Sequence, residues 1–107
     1  MNGEEAVTAV RKRLTKMSEN KNVPMYKLIM LDFSMPLLTG PQATRKIRGM
    51  LKQKGYSCDE VLICAVTEYS EISKQREAEE AGMNSFLVKP VFKSHMHRVL
   101  IEAGLME

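Results

Sequence analysis

Three apolar runs in this chain each end in a polar residue of a different kind. Asp32 follows YKLIML, Thr67 follows VLICAV, and Lys89 closes SFLVK. A carboxylate beside a core is costly unless it is paired, hydrogen-bonded or used in chemistry, although Asp is also a common way to begin a turn at a strand exit. Together, a carboxylate, a hydroxyl and an ammonium suit phosphoryl chemistry. The carboxylate can attack phosphorus as a nucleophile while the hydroxyl and the ammonium hold the phosphoryl oxygens. That chemistry requires three residues distant in sequence to arrive at one place.

The elements between them provide for it. Ala6, Val7, Val10, Leu14 and Met17 form one helical stripe over residues 2–17, with Asn2 as N-cap and Glu4 and Glu5 in the first turn, where the helix dipole favours acids. Residues 26–31 read as a strand buried on both faces. A helix follows over 40–55, opened by Pro41 and stopped by Gly55, with Ile47, Met50 and Leu51 on its apolar edge. Residues 61–66 give a second buried strand. The segment 70–81 gives a helix with a thin stripe (Ile72, Ala78, Ala81) ended by Gly82. A short strand over 85–89 and a helix over 94–103, with Met96, Val99, Leu100 and Ala103 on one side, complete the pattern. Strands alternating with helices predict an α/β fold with a parallel sheet covered on both faces. In such a sheet every strand ends on the same edge, where ligands bind. Asp32, Thr67 and Lys89 are therefore expected to share one crevice.

The chain has 107 residues, enough for one domain spanning 1–107 with a modest core. Hydrophobic residues at 44% and charged residues at 27% are ordinary for a globular protein. No run is long enough to span a membrane, and the first residues carry no signal-peptide pattern. Cys58 and Cys64 form neither a Cys-x-x-Cys pair nor a disulfide frame, which fits a reducing, cytoplasmic setting, with Cys64 in the core. The net charge of +3 concentrates in RKRLTK, residues 11–16, which reads as a solvated helix face and not a nucleic-acid surface. His95 and His97 sit two apart on a helix, point to different faces and make a poor metal pair. The nine methionines are scattered and read as core filler.

On three segments the chain resembles the receiver domains of two-component response regulators: LDFSMPLLTG around Asp32, AVTEY around Thr67 and SFLVKP around Lys89. The resemblance implies a flavodoxin-like, doubly wound parallel sheet. It makes Asp32 the phosphoacceptor, with Thr67 and Lys89 binding the phosphoryl oxygens, and puts Phe86 at the aromatic switch position, where a plain core aromatic is an equal alternative. It implies a cis bond between Lys89 and Pro90. It also implies Mg²⁺, held by Asp32, the backbone carbonyl of Ser34 and an acidic pair. The donor would be a histidine kinase or a histidine phosphotransfer protein. The output surface would be the helix 70–81 with the last strand and last helix, as in receivers at the C-terminus of hybrid histidine kinases. Ser34 and Tyr69 would flank the path of the attacking water.

The sequence departs from that pattern in three ways. The separation from Asp32 to Thr67 is somewhat long, with the extra length in LKQKGYSCDE on the far edge. Thr39 stands where many members carry Asp. NGEEAV matches the start of the family's second helix, so the first strand, first helix and second strand have no counterpart, nor does the acidic pair. The fold is thus expected to be an incomplete receiver. Glu4 and Glu5 open a helix, and Asp59 and Glu60 precede a strand on the opposite edge, so none of the four replaces the pair. Two functions follow: a phosphoacceptor switch, or a receiver-like interaction module that is no longer phosphorylated. An aspartyl phosphatase ranks third, because Ser34 occupies the place of such an enzyme's second Asp. The outer edge of the strand 26–31 is expected to be exposed and to promote association.

Overall fold

The computed structural model describes residues 3–20, 22, 24–33, 38–57, 60–68 and 70–105. In chain order the elements are α1 (Gly3–Glu19), β1 (Leu28–Asp32), α2 (Gly40–Gln53), β2 (Leu62–Thr67), α3 (Ile72–Ala81), β3 (Ser85–Val88) and α4 (Lys93–Glu102). The sheet runs β1-β2-β3 and both pairings are parallel. The expected α/β architecture is therefore present, with element ends displaced by at most two residues.

The displacement of β1 has a physical cause. Pairing begins at Leu28 opposite Leu62 and continues to Asp32 opposite Val66, so the strand starts two residues after the apolar run does and includes Asp32 itself. Tyr26 lies outside the ladder, half-buried, with the Arg13 guanidinium 4.5 Å over its ring. This contact, and an Arg13 bond to the Pro24 carbonyl, use one member of the basic run; Arg11, Lys12 and Lys16 face solvent. Asn2, the expected N-cap of α1, lies outside the described residues.

Strand side chains alternate between two faces. On one face Ile29, Leu31, Ile63 and Ala65 pack with Ala6, Val7 and Val10 of α1, Ala43, Ile47 and Leu51 of α2, and Ala78 of α3. On the other, Cys64, Leu87 and Val99 of α4 form a small buried cluster edged by the half-buried Leu28, Met30 and Val91. Helices thus cover both faces, three on one and one on the other. Burial pushes the Cys64 thiol up to about 11 from 9.0, with Glu102 acting in the same direction and Arg98 against it. No helix among the described residues is long and apolar enough to cross a membrane.

Arg48 of α2 ties down the sheet edge remote from Asp32. Its guanidinium donates to the carbonyls of Gly82 at 2.9 Å and Val61 at 2.7 Å, and to Asn84 Oδ1, which also accepts from the Ile63 amide. Gly82 ends α3 at φ 104, and a Cβ there would stand 3.0 Å from the Arg48 side chain, so both backbone angle and packing call for glycine.

Candidate functional site

Asp32 is the last residue of β1, and Lys89 directly follows β3. The Lys89 ammonium lies 3.0 Å from Asp32 Oδ1, with both side chains 43% exposed. Thr67 ends β2 between them, and its carbonyl accepts from the Lys89 amide at 2.6 Å. The expected convergence on one edge is thus observed, and Asp32 and Lys89 are in contact. The Lys89–Pro90 bond is cis, as the resemblance implies.

Alternation divides the site into two layers. Asp32 continues the row of Leu28 and Met30 and reaches solvent, whereas Thr67 continues the row of Ile63 and Ala65 and is 3% exposed. Phe33 extends the Ile29–Leu31 row past the strand end, its amide donating to the Val66 carbonyl at 2.9 Å. Phe86 pairs with Ala65 on the same face. The Phe33 and Phe86 rings meet edge-on across β2, centroids 6.2 Å apart and planes at 71°, a geometry aromatic quadrupoles favour. The Lys74 ammonium of α3 sits 5.7 Å above the Phe33 ring. Beneath the exposed ion pair there is thus a layer of buried Thr67 and Phe33 and half-buried Phe86.

The start of α2 is held close to Asp32. The Gly40 amide donates to the Phe33 carbonyl at 3.0 Å, and a Cβ on Gly40 would stand 2.6 Å from the Asp32 carbonyl oxygen. Only glycine lets the start of α2 approach this near. Thr39, noted above as a departure from the pattern, caps that helix: its hydroxyl accepts from the Gln42 amide while Gln42 Oε1 accepts from the Thr39 amide. Ser34 and Tyr69 lie outside the described residues, as does Asp59.

The described residues do not make a magnesium site. Among the described residues no group of three or more carboxylates, histidines or cysteines is placed to hold a metal, so Glu4, Glu5 and Asp32 do not form one. Asp32 offers one carboxylate, already engaged by a cation. Mg²⁺ demands near-octahedral oxygen coordination and dehydrates reluctantly. His95 is also no ligand in such a group; its Nδ1 accepts from the Phe92 amide at 3.2 Å, at the start of α4. Phe33 and Lys74 are site residues that sequence reasoning misses. The one local signal was that Phe33 prolongs the alternation of β1.

The fold and the site together are a doubly wound parallel sheet with a carboxylate and a lysine joined at its carboxyl edge. The response regulator receiver domain model matches residues 2–101, and the chain belongs to that family. It is 35% identical to the osmosensing histidine protein kinase SLN1 of Saccharomyces cerevisiae over 94% of this chain and 7% of that protein. The receiver domain of the histidine kinase CKI1 from Arabidopsis thaliana, complexed with Mg²⁺, superposes with a TM-score of 0.80 at 33% identity, covering 94% of this chain and 68% of that one. The receiver domain of Ssk1, co-crystallised with the histidine phosphotransfer signalling protein Ypd1 of Saccharomyces cerevisiae, superposes with a TM-score of 0.72 at 31% identity, covering 98% of this chain and 68% of that one. The chain therefore spans a small fraction of the kinase and about two thirds of the solved receivers. Mg²⁺ is the ion of the family, as the CKI1 complex illustrates.

Proposed function

We propose that the chain is a cytoplasmic phosphorelay receiver, a signalling domain and not a classical enzyme, in which Asp32 accepts a phosphoryl group from a phosphohistidine on a histidine kinase or histidine phosphotransfer protein. The Asp32–Lys89 contact carries this reading. A carboxylate oxygen attacks phosphorus, the P–N bond breaks as the P–O bond forms, and the histidine nitrogen keeps the electron pair and takes up a proton. Lys89 neutralises charge on the transferred group in place of the carboxylate it now pairs with. The Thr67 hydroxyl binds a second phosphoryl oxygen, which draws β2 towards the site and gives Phe86 a new position. The surface formed by α3, β3 and α4 passes that change to a downstream protein.

Incubation with a labelled phosphotransfer protein tests the reading. Label should move to the chain and be labile to base and hydroxylamine, as an acyl phosphate is, and Asp32→Asn should abolish the transfer. A second reading, an interaction module that is not phosphorylated, is favoured by the absence, among the described residues, of any metal-holding group of three or more carboxylates, histidines or cysteines that would include Asp32. That reading predicts binding to the phosphotransfer protein with no transfer. Uptake from a small donor such as acetyl phosphate should be weak under either reading, since neither a metal nor a docked protein then positions the phosphoryl group.

A further inference from the structure

We infer that Phe33 and Lys74 are positioning residues for Phe86: the Lys74 ammonium over the Phe33 ring latches the first half of α3 to the sheet, and the Phe86 ring against Phe33 sets whether that latch holds. The inference rests on the reading of Phe86 as a switch residue and names the helix that responds to it.

The attachment of α3 is uneven. Its two buried residues, Ala78 and Ala81, lie in its second half, while Ile72 in its first turn is 69% exposed and the N-cap Glu71 makes no side-chain cap bond. The first half has Lys74, whose ammonium sits 5.7 Å above Phe33, within the distance at which a ring quadrupole attracts a cation. Phe33 itself is 4% exposed and has the Phe86 ring edge-on at 6.2 Å. One buried ring thus contacts both the switch position and the loosely held turn. A cavity of about 110 Å³ between α3 and β3, lined in part by Gln75, Ala78, Met83 and Phe86, gives the Phe86 ring space to turn. If Phe86 rotates into it, Phe33 loses its edge contact and tilts, the ammonium loses its place over the ring, and residues 72–77 are released while Ala78 and Ala81 keep the second half docked.

Amide exchange on the full chain tests this without any phosphoryl donor. Lys74→Met should speed exchange at residues 73–77 by roughly two- to fivefold, the equivalent of one partly exposed cation–ring contact, and leave 79–81 unchanged. Phe86→Ala should speed the same amides with Lys74 present and add nothing in the Lys74→Met background. Equal effects of Phe86→Ala in both backgrounds, or no response to Lys74→Met, would overturn the latch. Phe33→Leu should reproduce Lys74→Met; if it unfolds the chain, the cycle between positions 74 and 86 still decides. Because no phosphoryl donor enters this assay, an intact latch here together with no label on Asp32 in the separate transfer assay would overturn the phosphoacceptor reading alone. Transfer to Asp32 with additive exchange effects would overturn the latch alone.

Discussion

Lys89 Nζ stands 3.0 Å from Asp32 Oδ1, and each side chain keeps 43% of its surface in water. An ion pair so exposed contributes about 0–1 kcal/mol to stability. Lys89→Met should therefore lower the unfolding free energy in urea by no more than that. It should also slow phosphoryl transfer to Asp32 by on the order of a hundredfold, the cost of removing one preorganised charge from the transition state. A large loss of stability with transfer unchanged would make the pair structural.

Arg48 works at the opposite edge and should behave in the opposite way. Its bonds join α2 to the carbonyls of Gly82 and Val61 and to Asn84. Charge-assisted bonds from a partly buried guanidinium are costly to remove, because the acceptors left behind are poorly solvated. Arg48→Ala is expected to cost about 2–3 kcal/mol in urea unfolding. The Asp32–Lys89 contact should survive it, visible as an unchanged response of the Lys89 side-chain resonance to Asp32→Asn. A neutral result would mean water replaces the bonds at no cost.

Cys64 sets an alkaline limit. Burial raises its thiol from 9.0 to about 11 in the folded chain. Between those values the unfolded chain has released the proton and the folded chain has not, so the folded state binds more protons and stability falls as pH rises. The contribution is intact below about pH 9 and lost by about pH 11. Unfolding free energies across that window should drop more steeply in the native chain than in Cys64→Ala, and thiol reagents at neutral pH should reach Cys64 only on unfolding. Parallel curves for the two proteins would contradict this.

β1 is an edge strand, with β2 on one side of it and a cleft of about 180 Å³ lined by Ala6, Val10, Leu28, Ile29 and Met30 beside it. α1 covers one face of β1, through Ala6, Val7 and Val10, and leaves Leu28 and Met30 half-buried on the other. Unpaired backbone groups next to partly exposed apolar side chains favour association. Light scattering should show mass rising with concentration, with the amides of Leu28, Met30 and Asp32, which face away from β2, protected chiefly in the associated form. A monomer at high concentration, with slow exchange across those residues, would mean that α1 shields the edge as well as the face.

The sequence exposes the residues that end the three strands and hides the contacts packed beneath the ion pair. Asp32, Thr67 and Lys89 are legible because each ends an apolar run, and parallel connectivity forces those ends to one edge. The exact start of β1 is not, because Tyr26 continues the apolar run while backbone pairing begins where Leu28 finds Leu62. The contact of Phe33 with Phe86, and of both with Lys74, depends on ring orientation and on where α3 docks, neither of which leaves a periodic trace. The Thr39–Gln42 capping box is the converse case, a purely local signature present in the letters alone.

The account turns on which atom takes the phosphoryl group. The chain, incubated with a phosphorylated histidine phosphotransfer protein and then reduced with borohydride to trap any acyl phosphate, can be digested and mapped by mass spectrometry. The account predicts conversion of Asp32 to homoserine, with no phosphate at His95 or His97 and no conversion in Asp32→Asn. Phosphate retained by the donor while the two proteins bind, or trapped product at any residue other than Asp32, would contradict it.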